Sequence, residues 1–455
     1  MDYKSKHIHE MSVSFLSSAL FKPISNASLV LLRIISGLFF FVEIFRYFYA
    51  DWINSYWMQP TYLFKYQGFE WVQPLPGDGL YYLFGVLALA ALGISFGFLY
   101  RISSIVFFLG FSYSFLLDKS LYLNHFYMDI LLAFLLCFVP ANRRFALDCY
   151  IFKNQTNIMS SWCLKVFQWQ VGLVYFFGGI AKINHDWLAG EPMRLYLTAR
   201  IQNPNILKYV SHDTMAWITS YGGLFIDLFA LPALLYKKTR IPACIVLISF
   251  HAINQRLFHI GLFPFIMVAL LLIFFPAHLF ERIIPRVHER IQSNYAFSKR
   301  AIICFLSVYM AIQIIMPLRH YLYDGPVIWN EEGLRFAWHM KLRGKTGLAK
   351  FTIAYKDGTT EIIDPSEELL SYQHLHMSYQ PDMILSYAHH IRDKKIKEGR
   401  ENFKIYVDAS CALNGREKQR FIDPKTDLAK EDFSYKAYPW IAPLTTALNP
   451  KNSKL

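Results

Sequence analysis

Charge is scarce in this chain. Only 17% of its 455 residues are Asp, Glu, Lys or Arg, where a soluble domain carries about 25%. The shortfall is uneven, which excludes a chain that is soluble throughout. Residues 27–319 hold long apolar runs, and residues 320–455 have the composition of ordinary soluble protein. Cysteine is scarce as well, with six in all. No Cys-x-x-Cys pair or Cys/His spacing suggests zinc. Histidine boxes at helix spacing are missing from the apolar part, and His374, His376, His389 and His390 all fall beyond it. That argues against a diiron membrane oxygenase, whose ligands cluster inside the bundle. There is no internal repeat and no low-complexity linker. The first 26 residues contain Lys4, Lys6 and Lys22 but no apolar core followed by a small-residue cleavage site. Insertion is therefore expected to use the first membrane span.

What is present is apolar sequence in membrane-sized runs. A helix needs about 20 apolar residues to cross a bilayer. Candidate spans are 27–49, 80–99, 102–118, 124–140, 161–183, 215–236, 240–254, 258–276 and 300–319. The expected fold is a polytopic α-helical bundle of about nine spans, with a mixed α/β extramembrane domain at the C-terminus. Its parts are a cytoplasmic segment 1–26, a transmembrane domain 27–319 and an outer domain 320–455, in a periplasm or lumen. The net charge of +13 reflects anchoring at span ends rather than nucleic-acid binding. Arg101, Arg143, Arg144, Lys153, Lys237, Lys238, Arg240, Arg282, Arg286, Arg290, Lys299 and Arg300 fall on the inner side of a nine-span scheme, as the positive-inside rule requires. Cys411 alone falls outside, as an exposed thiol. The outer domain is thus expected to fold without a disulfide.

Within the outer domain, FTIAYKDGTTEII (351–363) places two β-prone runs around Asp357–Gly358, a hairpin turn. Residues 380–398 read as a helix opened by Pro381, and FKIYVDA (403–409) reads as a strand.

Polar groups inside spans are costly and are functional candidates for that reason. Lys182 ends the fifth span after two glycines and is followed by Asp186 and Trp187. A lysine there can act as a base or snorkel to headgroups. Asn124 and His125 open the fourth span, with Asp129 on the same helix face. An Asp–His pair would set the imidazole tautomer, and the other reading is an interfacial histidine bonded to a carbonyl. His251, Asn254 and Gln255 end the seventh span, either as a site or as a re-entrant corner satisfying its own backbone. In the first span, Glu43 and Arg46 are spaced to pair, and Arg33 is another structural pair or an anion site. Lys182, His125 and His251 should lie at one outer level and form one pocket.

The segments YLNHFYMDILLAFLLCFVPANRRFALD (122–148), VYFFGGIAKINHDWLAGEPM (174–193), FHAINQRLFHIGLFPF (250–265) and QIIMPLRHYLYDGPVIWNEEGLRFAWHMKL (313–342) resemble, in order, the vitamin K-dependent gamma-glutamyl carboxylases in their compact bacterial form. The resemblance implies a carbon–carbon lyase in a bacterial inner membrane (or the ER membrane of a eukaryote). Its co-substrates would be vitamin K hydroquinone, O2 and CO2, with no metal, and its partners a lipid quinone and a glutamate-containing protein. Hydroquinone epoxidation would be coupled to conversion of protein glutamate to gamma-carboxyglutamate. It further implies catalytic roles for Lys182, His125 and His251, and quinol-binding roles for Asn124, Asn254 and Gln255. There are departures: the outer domain is short, and Arg343 stands where the family carries an outer-domain histidine, with His339 four residues earlier. Quinol epoxidation without carboxylation is one alternative. The other is a non-enzymatic transporter or sensor of the horizontally transferred transmembrane (HTTM) architecture.

Overall fold

A computed structural model describes residues 18–289 and 298–448, apart from the side chain of Ile206. The N-terminal segment up to residue 17, with Lys4 and Lys6, and Arg290, expected on the inner side, lie outside the described residues. Each apolar run is occupied by a helix: α1 Ala27–Tyr49, α2 Gly79–Phe96, α3 Tyr100–Leu116, α4 Asn124–Leu136, α5 Trp162–Ala181, α6 His212–Leu235, α7 Arg240–Phe258, α8 Phe263–Leu270 and α9 Lys299–Leu318. Among the described residues, five are long and apolar enough to cross a membrane: α1, α2, α6, α7 and α9 with its continuation to Leu322. Helices α3, α4 and α8 with its extension to Phe274 are apolar but shorter. The outward faces of the bundle carry large apolar side chains such as Leu89 on α2, Ile102 on α3, Phe229 on α6 and Ile245 on α7, as lipid-facing helices must.

Two ends of the bundle are chemically different. At one end, strands β1 Pro23–Ser25 and β2 Ile158–Ser160 pair antiparallel. There the fully buried Arg33 donates to the carbonyls of Ala141 at 3.2 Å and Phe145 at 2.6 Å. Arg33 therefore satisfies loop carbonyls, and it forms no ion pair among the described residues. Glu43 and Arg46 do pair, at 2.7 Å.

The other end carries the outer domain. Its sheet has the order β4-β3-β5-β6, built from β3 Lys345–Tyr355, β4 Thr360–Ile363, β5 Phe403–Leu413 and β6 Gln419–Arg420, all antiparallel. The β3–β4 hairpin turns at Asp357–Gly358, where Gly358 takes φ +85° and a Cβ would strain the turn. Helices α10 Ser371–Met377 and α11 Pro381–Lys397 bring Met377 from the first and Met383, Leu385 and Tyr387 from the second into one core with Phe351, Ile405 and Val407. Pro381 sits in the first turn of α11, where its missing N–H costs nothing. Cys411 is fully buried in this core rather than exposed, because the inward face of β5 places it there. It is a free thiol, as are the other cysteines.

Buried charges fasten the domain to the bundle. Lys119, in the loop before α4, meets Asp382 at 2.9 Å and the Ser386 hydroxyl at 2.9 Å. Arg335 reaches the same carboxylate at 2.7 Å. Asp186, just after α5, is gripped by Arg416 and Asn414.

Candidate active site beneath the outer domain

Lys182 caps the C-terminal end of α5 and is 4% exposed. Its Nζ donates to Asp227 Oδ2 at 2.5 Å and to the Gly178 carbonyl at 3.0 Å. Asp227 comes from the middle of α6 and is 3% exposed. Helix α6 can come this close because α5 presents Gly178 and Gly179. A Cβ on Gly179 would lie 2.8 Å from Leu228 Cγ and 3.0 Å from its backbone nitrogen. A Cβ on Gly178 would lie 3.2 Å from Asp227 Oδ2. Small residues at a membrane helix seam serve this purpose.

Lys182 and Asp227 line a cavity of about 410 Å³ together with Tyr175, Trp187, His251, Asn254 and Met340. The Trp187 ring lies 5.3 Å from the Lys182 amine. His251 is 3% exposed. The Tyr175 hydroxyl meets its Nε2 at 2.7 Å, and its Nδ1 is buried with no hydrogen-bond partner. An orphaned ring nitrogen in an apolar wall is costly unless a ligand satisfies it. The cavity opens sideways between α6 and α7, where Ile218, Ile245 and Ile253 line it and are exposed on the outer face of the bundle. Gln255 lines neither this cavity nor its neighbour, and its Oε1 is buried without a partner.

The neighbouring cavity, of about 680 Å³, lies under the outer domain and is more polar. It is lined by Asn124, His125, His339, Arg343, Tyr372 and His376, among others. The single pocket expected from the sequence is thus two, with a common wall of Phe258, Ile260, Phe263, Met340 and Lys341. The Phe263 ring stands between them, 6.3 Å from His125 and 6.4 Å from His251. The division arises because the α7–α8 turn inserts Phe263 at the centre.

Asn124 accepts a hydrogen bond from the Tyr122 hydroxyl at 3.0 Å. No hydrogen bond joins His125 to Asp129 among the described residues. Instead, His125, Asp129 and Glu43 line a third, water-sized cavity of about 10 Å³. In the outer-domain wall, both ring nitrogens of His339 are buried without partners. Burial, reinforced by the positive charge of His320 and Arg343, pushes its imidazole down to about 3, so it is neutral at physiological pH. Arg343 itself is held by Glu331.

Sequence reasoning passed over Asp227, although a carboxylate in an apolar run is the same signal that singled out Lys182. It also passed over Tyr175, for which no signal existed, since tyrosine is unremarkable in a span. His389 and His390 are engaged structurally, with the Glu431 carbonyl and the Glu368 carboxylate.

Residues 21–278, more than half of the chain, match the family model of the HTTM domain. Residues 298–447 match that of the vitamin K-dependent gamma-carboxylase lumenal domain. No solved structure matches the chain. Matched by the one model over its helical part and by the other over its C-terminal domain, the chain belongs to the vitamin K-dependent gamma-carboxylase family.

Proposed function

We propose that the protein couples oxygenation of vitamin K hydroquinone to carboxylation of glutamate side chains on a protein substrate. The observation that carries this is the buried Lys182–Asp227 pair facing an apolar, laterally open cavity that abuts a polar cavity under the outer domain. The first cavity fits a prenylated aromatic alcohol. Its walls are apolar, its mouth meets lipid, and its few polar atoms converge. When bound, the hydroquinone would react with O2 and so supply a base strong enough to remove a γ-proton from glutamate, after which CO2 is captured.

The residues of this chain would hold and prepare that group. Lys182 and Asp227 share a proton across 2.5 Å. When that proton has passed to Asp227 and the Oδ2–H turns off the amine, the Nζ lone pair is free to take a proton from a bound hydroxyl, which leaves an ammonium, a carboxylic acid and the hydroquinone anion. Tyr175 donates to His251 Nε2, which leaves the ring proton on Nδ1 to bond a ligand oxygen. Asn254 adds an amide at the same wall. Asn124 and His125 stand across Phe263 in the polar cavity, where a glutamate side chain presented from the water side would enter. In this reading all nine helices span the membrane and the outer domain faces the periplasm.

The test gives purified protein vitamin K hydroquinone, O2 and labelled CO2, with and without a glutamate-containing peptide. Epoxide together with labelled peptide is expected. Epoxide with no labelled peptide would restrict the function to quinol epoxidation. Neither product from well-folded protein would reject the proposal.

A further inference from the structure

Asp186 lies four residues beyond Lys182 and is 3% exposed. Its carboxylate points at the outer domain. Arg416 grips it with both branches of the guanidinium, Nη1 to Oδ2 at 2.6 Å and Nη2 to Oδ1 at 2.6 Å. Asn414 Nδ2 donates to Oδ2 at 2.8 Å. The exposed His185 ring stands 3.4 Å from Oδ1. Arg416 is braced in turn by the carbonyls of Thr446 at 3.1 Å and Leu413 at 3.3 Å.

This node joins three elements. Asn414, at φ +51°, exchanges two hydrogen bonds with Gly344, each of 2.7 Å. Gly344 closely follows Met340 and Lys341, which form the wall between the two cavities. On the bundle side, Trp187 follows Asp186 directly. Its indole N–H donates to the Ser220 carbonyl of α6 at 2.7 Å, and its ring borders the Lys182 amine. Trp187 and Ala181 belong to the same apolar core as the inward faces of β3 and β5. An apolar contact alone would dock the domain without fixing its angle. A buried bidentate pair has a narrow geometry, and losing one partner strands a charge.

We infer that Arg416 and Asn414 of the outer domain position the Lys182 amine, acting through Asp186 and Trp187. The proton-accepting group is then held in place only while the outer domain is seated. This rests on the proposal that Lys182 is the base. Neither Arg416 nor Asn414 lines either cavity, so both are positioning residues.

The experiment uses the full chain and two readouts. Phenyl isothiocyanate, an apolar amine reagent, labels Lys182, and its rate is followed by mass spectrometry. Hydroquinone turnover is measured in parallel. In Arg416→Ala, labelling of Lys182 should accelerate severalfold as the amine loses its fixed place beside Asp227. The kcat should fall about tenfold or more, with the KM for the acceptor peptide unchanged. Arg416→Lys should lie between, because an ammonium keeps the charge and lacks the fork. A folded Arg416→Ala protein with parental labelling and kcat would overturn the inference. If that variant does not fold, Asn414→Ala, which removes hydrogen bonds and no charge, decides the matter on the same labelling criterion. Labelling needs no turnover. A chain whose labelling responds while the parent lacks hydroquinone turnover would reject Lys182 as the base and uphold the positioning.

Discussion

An amine and a carboxylate 2.5 Å apart in an apolar wall act as one unit, and removing either strands the other. Lys182→Met or Asp227→Leu should each lower stability by about 3–5 kcal/mol. The double variant should recover most of that loss, because no charge remains buried. Hydroquinone turnover should fall by at least about 100-fold in all three, and small amines should partly restore Lys182→Ala. Thermal unfolding and turnover measured on the same samples separate the two effects. A double variant with normal turnover would remove the pair from the mechanism. The lysine was legible at the sequence level because charge in an apolar run is conspicuous. Its partner, 45 residues away on another helix, could be identified only after α5 and α6 were packed together.

At the scale of elements, the α5–α6 seam decides whether that pair exists. Gly172 and Gly179 both face α6, against Leu231 and Leu228. A side chain at Gly179 meets backbone as well as side chain, so rotamer changes in Leu228 alone cannot make room. Gly179→Leu should therefore push the helices apart and cost activity more than Gly85→Leu on α2, where nothing lies within 4 Å. Equal activity in the two variants, at equal expression, would show that the seam is not what holds Asp227 in reach. Secondary elements were the most legible level. The Asp357–Gly358 turn, the Pro381 helix start and the β5 strand carry local signals, and each formed where those signals lay. The place of Phe263 was not legible, because a phenylalanine in a span has no address until the α7–α8 turn has been built.

For the whole molecule, docking of the outer domain should depend on pH. Burial works to raise the Asp186 carboxyl, but hydrogen bonds from Arg416 and Asn414 outweigh it and hold the group below the usual carboxylate range. Asp382 behaves alike, with the charges of Arg335 and Lys119 overcoming burial and holding it far below. Carboxyls depressed by folding add stability that is present above their unfolded value near 4 and is lost as pH falls below it. Limited proteolysis should thus show the domain docked at neutral pH and released in acid below about pH 4. Asp118 runs the other way. Burial pushes it up to about 6 despite hydrogen bonds from Ser120 and Gln373, so its contribution declines as pH rises from about 4 to 6. Asp118→Asn should flatten that decline. Sidedness has its own check. A cysteine placed at Tyr435, which is 80% exposed, should react with a membrane-impermeant maleimide applied from the periplasmic side. Protection in intact spheroplasts would place the domain in the cytoplasm.

The sequence by itself determined that there is a membrane bundle with a separate outer domain, because apolar runs and their polar interruptions are properties of consecutive residues. It also marked Lys182, Asn124, His125 and His251, since a polar group in hydrocarbon is conspicuous without any partner. Only the tertiary structure decided that Lys182 answers to Asp227, that His251 answers to Tyr175, and that His125 belongs to a second cavity across Phe263. Only it tied Asp186 to Arg416, 230 residues away. Those pairings join segments distant in the chain, and their geometry is set by how closely the helices approach and how the outer domain seats upon them.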